Sequence, residues 1–489
     1  MTNMFKCLFC VGLLVLLALA MACTPGAHEE FGLHDWSRFR GPNGSGLAVA
    51  SGLPLEFGPD KNVVWKTELP AGHSSPILAG SRIFLTAADT ENLYTICVDK
   101  ASGKELWRRE APRDRKEKLD PRNNPASPSP ATDDKHVFVF IPDYGLLAYD
   151  FDGNELWRVP QGPFNNIYGM GASPVLVKDK VVLVYDQSTD SRIVAFNKKD
   201  GSLAWESKRP EATSGHCTPI LRTAEDGTTE IIVPGSFYLT AYNADTGEKI
   251  WWVRGLSFEM KSTPVMKDDV VYINGYGSPL NDPGNQVKLP AFTEVLSEQD
   301  TDQSGTISRE EFPKIVQAFW FDVADLNVDG SVIETEWTYL QAALDSKNGM
   351  LAIKAGGKGD MTETAVRWTY HKTVPQLPSP LLYKDILYMV DDGGRATSFQ
   401  AETGEVIAQK RVQDVRDAYY ASPVAADDKI FIISRSGKVV VAKPDGSFEA
   451  MAVNDLQDQV YATPAIENDR IYIRTKSTLY CFAEQQSNP

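Results

Sequence analysis

Short apolar runs rich in β-branched and aromatic residues alternate along this chain with turns that contain Gly, Asp and Asn. Between Ser173 and Trp205 the pattern predicts four antiparallel strands, of which 181–185 and 192–196 are the second and third. A Ser-Pro pair opens this unit, and its proline lies where a strand begins and a missing N–H costs little. The segment therefore reads as one four-stranded sheet.

The same unit recurs eight times, each time after a Ser-Pro or Thr-Pro pair. Most of these prolines are 41 to 54 residues apart, but Pro264 and Pro380 are separated by 116 residues. A period near 40–45 residues is typical of propeller blades. We therefore predict an all-β, eight-bladed β-propeller with one insertion of roughly 70 residues. The eight prolines are Pro76, Pro130, Pro174, Pro219, Pro264, Pro380, Pro423 and Pro464.

The two ends of the repeat complement each other. The last unit ends at Phe482 without a fourth strand, whereas residues 63–65 form a Trp-containing strand with no unit before it. Pairing the two would close the ring and remove two exposed sheet edges.

The repeats LLAYDFDGNELW (146–157) and LTAYNADTGEKIW (239–251) resemble pyrroloquinoline-quinone-type propeller repeats. Residues 36–44, WSRFRGPNG, resemble the N-terminal lead of a bacterial family of such proteins. The resemblance covers most of 35–482 and implies an eight-bladed propeller. It does not imply quinone binding, because this repeat builds both quinoprotein dehydrogenases and a non-enzymatic outer-membrane assembly lipoprotein.

The N-terminus has the features of an export signal. Residues 1–22 contain Lys6, an almost wholly apolar stretch at 8–20 and an A-x-A cleavage site. Cys23 follows directly, as in bacterial lipoproteins, although Ala20 stands where a lipobox prefers Leu. Both a lipidated Cys23 and plain secretory cleavage remain open, and either exports the protein to the periplasm or cell envelope. Membrane contact is expected only through a lipid on Cys23.

We divide the rest of the chain by the repeat. A lead segment (23–62) precedes the closing strand and the first part of the blades (63–275), the insertion covers 276–349, and the remaining blades (350–482) are followed by a tail (483–489). The net charge of −16 argues against nucleic acid as a partner. We expect a monomer.

Three cysteines remain beyond the signal and Cys23, namely Cys97, Cys217 and Cys481. Cys97 and Cys481 align in the repeat with small residues, which predicts buried small side chains. A Cys97–Cys481 bridge across the closure is the alternative, since export permits disulfides.

The insertion carries 13 acidic and 4 basic residues. Within it, DTDQSGTISREE (300–311) and DLNVDGSVIETE (325–336) place oxygen-bearing residues and a glycine at the positions of an EF-hand calcium loop. Two such loops in tandem predict a small α-helical EF-hand pair that binds calcium. The expected ligands are Asp300, Asp302, Ser304, the Thr306 carbonyl, Ser308 and Glu311 in the first loop, and Asp325, Asn327, Asp329, the Ser331 carbonyl and Glu336 in the second.

Apolar residues support both loops. Ile307 and Val332 occupy position 8, where paired loops form a short two-stranded contact. A helical spacing predicts a small core from Phe312, Ile315, Phe319, Trp320 and Val323. We expect the pair to fix the insertion against one rim of the propeller, and both a structural and a sensing role for calcium remain open.

The loops that enter the innermost strands should line one mouth of the central channel. Counting three residues back from each proline gives a set that we call the rim residues: His73, Ser127, Gly171, His216, Lys261, Leu377, Tyr420 and Tyr461. Nearby polar residues are Asn124, Tyr168, Glu259, Gln376 and Asp417. The candidate pocket for a protein or small-molecule ligand comprises His73, Asn124, Tyr168, His216, Lys261, Gln376, Asp417, Tyr420 and Tyr461. The alternative is that these loop residues bond only to neighbouring blades and solvent.

The sequence contains no recognisable catalytic motif, so we assign no catalytic residue and favour a non-enzymatic binding or assembly scaffold. A quinoprotein dehydrogenase is the first alternative, with Glu259, Lys261 and Asp417 as charged partners of the quinone. The resembling enzymes often place two adjacent cysteines against that cofactor, and this chain has none. A sugar-binding or hydrolytic propeller is the second alternative.

Overall fold

The computed structural model of this protein describes residues 36–316, 319–412 and 416–485. The chain forms eight antiparallel blades. Each blade has four strands, and every strand pairs with the one that follows it in the order given below. The first strand is β1 (Val63–Glu68). Blade 1 contains β2 (Ile77–Ala79), β3 (Arg82–Ala88), β4 (Asn92–Asp99) and β5 (Glu105–Pro112); blade 2 contains β6 (Ala131–Thr132), β7 (His136–Ile141), β8 (Gly145–Asp150) and β9 (Glu155–Pro160); blade 3 contains β10 (Val175–Val177), β11 (Lys180–Tyr185), β12 (Arg192–Asn197) and β13 (Leu203–Lys208).

The later blades follow the same plan, with two interruptions in blade 5. Blade 4 contains β14 (Ile220–Thr223), β15 (Thr229–Gly235), β16 (Tyr238–Asn243) and β17 (Lys249–Arg254). Blade 5 contains β18 (Val265–Lys267), β19 (Val270–Gly275), β22 (Gly349–Lys354) and β24 (Val366–Tyr370). Blade 6 contains β25 (Leu381–Tyr383), β26 (Ile386–Val390), β27 (Arg395–Gln400) and β28 (Val406–Arg411); blade 7 contains β29 (Val424–Ala426), β30 (Lys429–Ile433), β31 (Lys438–Ala442) and β32 (Ala450–Asp455); blade 8 contains β33 (Ala465–Glu467), β34 (Arg470–Arg474) and β35 (Thr478–Phe482).

The ring closes as the sequence predicts. Strand β1 pairs antiparallel with β35 and supplies the fourth strand of blade 8, with Trp65 opposite Cys481. The first and last parts of the propeller therefore hold each other in one sheet, and the edge that β35 would otherwise expose is paired.

The recurring tryptophan joins five of the blades to the blade that follows. In five blades the indole N–H donates to a backbone carbonyl of the following blade. The same indole packs on a glycine of that following blade, where a Cβ would meet the ring at 2.4–2.7 Å. These glycines have φ between +72° and +80°, so the turn needs glycine for both conformation and close approach. The pairs are Trp65–Gly103, Trp107–Gly153, Trp157–Gly201, Trp205–Gly247 and Trp368–Gly404.

The tryptophans also explain the small residues of the repeat. Cys97 lies opposite Trp107, and Cys481 lies opposite Trp65, within their sheets. A small side chain is needed there because the indole of the partner strand occupies the space. Cys97, Cys217 and Cys481 are all buried and free, so the predicted burial is confirmed and the alternative Cys97–Cys481 bridge is wrong.

The insertion lies between the second and third strands of blade 5. It contains α1 (Phe292–Gln299), β20 (Ile307–Ser308), α2 (Phe319–Ala324), β21 (Ser331–Val332) and α3 (Glu334–Asp345). A smaller interruption contains β23 (Gly359–Asp360), which adds to the outer edge of blade 4, and α4 (Thr362–Ala365). Short 3₁₀ turns occupy Pro42–Gly44 and Pro279–Asn281.

The predicted apolar set of the insertion is partly wrong. Ile315 and Phe319 are 64% and 44% exposed, and Val316 and Phe321 are buried in their place. Helical periodicity does not run through this segment, because residues 309–312 and 314–316 form turns and α2 begins only at Phe319. The predicted residues that are buried are Phe312, Trp320 and Val323.

Candidate functional site

A ring of hydroxyl groups surrounds the central channel. In seven of the eight repeats, the Ser or Thr before the proline accepts a hydrogen bond, at 2.8–3.1 Å, from the backbone N–H of the corresponding residue in the preceding blade. Seven such bonds link the blades among the described residues, and the bond from Thr463 to Ser75 crosses the closure. The repeated pair thus serves two needs: the proline opens a strand, and the hydroxyl joins neighbouring blades. We call this set the hydroxyl ring: Ser75, Ser129, Ser173, Thr218, Thr263, Ser379, Ser422 and Thr463.

A cavity opens at the channel mouth, directly above this ring. All rim residues line it, together with six members of the hydroxyl ring. The cavity floor is therefore hydroxyl-rich, and its walls come from the loops that enter all eight blades. Of the candidate pocket residues, those that line it are His73, Tyr168, His216, Lys261, Gln376, Tyr420 and Tyr461.

Two of the candidate pocket residues bond to the surrounding loops instead. The Asn124 side chain accepts a hydrogen bond from the Ala126 N–H at 2.8 Å. Asp417 accepts from the N–H and the hydroxyl of Ser436, in the turn between β30 and β31. Neither residue is among those lining the cavity, so their placement there is corrected. The carboxamide shapes its own turn, and the carboxylate joins two loops of blade 7.

The aromatic side chains form two groups. His73 stacks on Tyr461 with ring centroids 4.1 Å apart, and Tyr420 meets Tyr461 edge-on at 5.2 Å. These three precede blades 1, 8 and 7. Tyr168 and His216, which precede blades 3 and 4, meet edge-on at 6.0 Å. In a ring of eight, blades 3 and 4 stand opposite blades 7 and 8, so the two aromatic groups face each other across the channel.

The charged groups at the mouth are paired. Lys261 bonds to the buried carboxylate of Glu259 at 2.5 Å. Arg122 bonds to both carboxylate oxygens of Asp120, at 2.8 and 2.9 Å. Asp120, Arg122 and Asn123 also line the cavity and come from the long loop before blade 2. Counting three residues back from each proline did not find them, because they lie farther from Pro130.

Both histidines are held neutral. Burial, with Arg474 and Lys476 nearby, lowers the pKa of His73 to about 4. Burial and the neighbouring Lys261 lower the pKa of His216 to about 3. At neutral pH the two imidazoles are therefore uncharged hydrogen-bonding groups.

The N-terminal lead closes the channel below the mouth. Arg38 and Arg40 are buried and donate to the carbonyls of Pro219 and Pro380, two of the repeat prolines in blades 4 and 6. Phe39, between them, lines the cavity. The WSRFRGPNG segment thus acts as a plug, and the cavity is a pocket with a floor, which sequence reasoning did not anticipate.

The first acidic loop of the insertion brings its carboxylates together. One oxygen from each of Asp300, Asp302 and Glu311 lies within 4.8 Å of the others. The Gly305 N–H donates to Asp300 at 2.9 Å, which wraps the backbone around this point. Glu311 accepts four hydrogen bonds from Ser308 and Thr301, and these hold its pKa at about 2.

The second acidic loop follows the same path. The Gly330 N–H donates to Asp325 at 3.0 Å, and Glu336 accepts from the N–H groups of Leu326 and Ile333. An amide replaces the second carboxylate, and Asn327 donates to Asp329 at 2.9 Å. The loops pair as a two-stranded ribbon, with Ile307 opposite Val332 as the sequence predicts. The remaining predicted ligands, Ser304, Thr306, Ser308 and Ser331, lie in these same turns.

The insertion packs on the loops that carry the mouth. Trp320 of α2 contacts Phe258 with ring centroids 5.5 Å apart, and Phe258 directly precedes Glu259. The Leu326 carbonyl, at the second position of the second acidic loop, accepts from the Asn165 amide at 2.8 Å. Asn165 belongs to the loop that places Tyr168 at the mouth. The acidic loops and the cavity are therefore linked by side-chain contacts.

Eight blades, tryptophan contacts between blades and a channel-mouth cavity define the class as an eight-bladed propeller of the pyrroloquinoline-quinone repeat type. The family described as outer membrane protein assembly factor BamB matches residues 95–280 and 325–488, and this chain belongs to that family. The unmatched stretch between these segments contains most of the insertion. The chain is 25% identical over 411 residues to the outer membrane protein assembly factor BamB of Yersinia pestis, covering 78% of this chain and 88% of that protein.

Solved structures share the fold. BamB from Moraxella catarrhalis superposes with a TM-score of 0.55 at 12% identity, covering 86% of this chain and 99% of that one. A europium-containing methanol dehydrogenase superposes with a TM-score of 0.59 at 9% identity, covering 93% and 99%. At such identities the likeness concerns architecture alone.

The predicted signal peptide (1–22) and Cys23 lie outside the described residues. Among residues that the structure does describe, no helix is long and apolar enough to cross a membrane.

Proposed function

We propose that this protein is an exported binding scaffold of the cell envelope, anchored by a lipid on Cys23, whose propeller carries a calcium-binding module beside its channel mouth. Family membership supports the scaffold role, since the relatives bear the name outer membrane protein assembly factor. The function is non-enzymatic, with a protein or small-molecule ligand at the mouth.

One observation carries the calcium assignment: the carboxylates of the first twelve-residue loop converge on one point, and the second loop, which follows the same backbone path, pairs with it. Calcium prefers six to eight hard oxygen ligands, and a wrapped loop of this length can supply six. The first loop gathers Asp300, Asp302 and Glu311. Its Ser304 and Ser308 hydroxyls and the Thr306 carbonyl would complete the donor set. The second would use Asp325, Asn327, Asp329, the Ser331 carbonyl and Glu336, and its Ile333 position would need water.

Calcium would serve the propeller by holding the insertion in its docked form. Three like charges within 4.8 Å repel one another unless a cation lies between them. Removing the ion should loosen both loops and, through Leu326 and Trp320, their contacts with Asn165 and Phe258. The module would thereby stabilise the wall of the mouth that carries Tyr168 and Glu259.

Thermal unfolding with calcium or with EGTA tests this proposal. Calcium should raise the melting temperature of the wild type, because an ion that binds only the folded state stabilises it by mass action. The double variant Glu311→Gln, Glu336→Gln removes the carboxylate at position 12 of each loop and should lose most of this rise. The matched control is Glu310→Gln, Glu334→Gln, which changes the same charge at exposed neighbouring positions and should keep it.

A melting temperature that calcium leaves unchanged in the wild type would count against the module. An equal response from both double variants would also count against it, since the ion would then act elsewhere. The anchor has its own test: Cys23→Ser should move the protein from the membrane fraction to the soluble periplasmic fraction. Unchanged membrane association in that variant would contradict lipidation at Cys23.

A further inference from the structure

The charge balance of the channel mouth favours a neutral ligand. Lys261 is already paired with Glu259, and Arg122 with Asp120, so neither cation is left for an anionic ligand. The two histidines at the mouth are uncharged, as described above. A carboxylate or phosphate would have to break one of these ion pairs, and an ammonium ligand would compete with the existing cations.

The unused hydrogen-bonding groups of the cavity favour a ligand that both donates and accepts. The hydroxyls of the ring accept their neighbours' N–H groups, but within 36–316, 319–412 and 416–485 none of them donates. They therefore offer O–H donors at the cavity floor. Gln376 also lines the cavity, and its side-chain amide has no partner among the same residues. A ligand with hydroxyl groups can pair with both, because a hydroxyl group donates and accepts hydrogen bonds.

His216 adds an unpaired ring nitrogen. Its Nε2 is shut off from solvent and has no hydrogen-bond partner among the described residues. The imidazole is neutral, so Nε2 donates in one tautomer and accepts in the other, and a hydroxyl group can pair with either form. A buried polar nitrogen without a partner costs stability, so the site favours a ligand group that pairs with it.

The aromatic groups favour a ring with apolar faces. His73, Tyr420 and Tyr461 stand on one side of the cavity, and Tyr168 and His216 on the other. Aromatic rings pack well against flat apolar surfaces. A pyranose combines such C–H faces with hydroxyl groups around its edge, and it carries no charge.

From these three features we propose that the channel mouth is a binding site for a neutral pyranose sugar, held between the two aromatic groups and bonded to the hydroxyl ring, His216 and Gln376. This goes beyond the proposed scaffold and calcium functions and does not depend on bound metal. It assigns a ligand chemistry to the cavity and predicts a glycan-bearing ligand in the envelope.

Saturation-transfer-difference NMR on the purified protein tests the site, with methyl β-D-glucopyranoside, methyl N-acetyl-β-D-glucosaminide and methyl α-D-mannopyranoside as probes. At least one should bind saturably, with a Kd of about 1–10 mM for so small a ligand. Tyr461→Ala should weaken that binding about tenfold, because it removes the central ring of one aromatic group. His216→Phe should also weaken it while keeping the bulk of the side chain. Each measurement is repeated in EGTA, where loss of calcium should leave some sugar binding.

The matched control is Tyr383→Ala, a half-buried tyrosine at the end of β25, on the face away from the mouth. It should bind the sugar as the wild type does. Two charged probes, benzene-1,4-dicarboxylate and choline, separate the alternatives, and circular dichroism confirms that each variant is folded.

Three results would overturn the proposal. The first is no saturable binding of any of the three glycosides up to about 50 mM by folded wild-type protein. The second is glycoside binding that both Tyr461→Ala and His216→Phe leave intact. The third is binding of the dicarboxylate or choline, lost in Tyr461→Ala, with no glycoside bound.

Discussion

The hydroxyl ring predicts that replacing one of its members destabilises the whole propeller. Ser379→Ala removes the acceptor of the Thr263 N–H, which lies 2.9 Å from the Ser379 hydroxyl. Thr263 is 1% exposed and is not among the residues that line the cavity, so water cannot take over the bond to its N–H without rearrangement. The N–H of Ser379 itself keeps its own acceptor, Ser422. The substitution thus isolates a single bond between blades 5 and 6.

The magnitude follows from the group that is left unpaired. An unsatisfied buried N–H costs about 1–3 kcal/mol, whereas an ordinary surface serine substitution stays within about 0.5 kcal/mol. Ser379→Thr keeps the hydroxyl and should remain close to wild type, because threonine already occupies three of the eight ring positions. We therefore expect the order wild type, Ser379→Thr, Ser379→Ala in falling stability.

Equilibrium urea unfolding followed by tryptophan fluorescence measures this order. A propeller of this size need not unfold in two states, so midpoints should be compared between variants that give the same transition shape. If Ser379→Ala unfolds within about 0.5 kcal/mol of the wild type, the hydroxyl ring does not stabilise the fold as described. A threonine variant as unstable as the alanine variant would also refute the reasoning, since the hydroxyl would then be irrelevant.

Two further predictions concern a partly buried carboxyl group and a buried aromatic ring near the mouth. Burial raises the pKa of Asp392 to about 6, so its contribution to stability is complete below its ordinary pKa and is lost as pH rises through 6. Asp392→Asn keeps the acceptor oxygen but cannot ionise. Its free energy of unfolding, measured in urea, should therefore rise by up to about 3 kcal/mol relative to that of the wild type between pH 4 and 7. A difference between the two proteins that does not change with pH would contradict this. Phe258→Ala should cost about 3–5 kcal/mol and should expose the insertion to limited proteolysis while the blades resist; cleavage no faster than in the wild type would argue against docking through Phe258.

The propeller could be predicted in detail because its signals are local and repeated. Each blade carries its own proline, turn and tryptophan, and Trp65 at one end matched the missing strand at Phe482. The rim residues were found for the same reason, since a fixed offset from each proline places them at one end of the inner strands. All eight line the cavity.

The other features depend on partners that are distant in sequence. The hydroxyls of the hydroxyl ring bond to residues at least 41 positions away. The repeat therefore shows that a Ser or Thr recurs before each proline, but it does not show that this hydroxyl bonds to a neighbouring blade. Phe39 reaches the cavity because the lead segment threads across the channel, which no periodicity encodes. Helical spacing misassigned Ile315 and Phe319, since turns interrupt the helix on which the spacing was counted.

Calorimetric titration of calcium into EGTA-stripped protein tests the calcium-binding propeller most directly. Two loops should take up about two ions per chain, with weak dissociation constants of roughly 10⁻⁴–10⁻³ M if the sites are of the extracellular structural kind. The Glu311→Gln, Glu336→Gln variant should give no comparable heat, and the Glu310→Gln, Glu334→Gln control should match the wild type. A flat titration of folded wild-type protein at millimolar calcium, with no ion retained on equilibrium dialysis, would contradict the account.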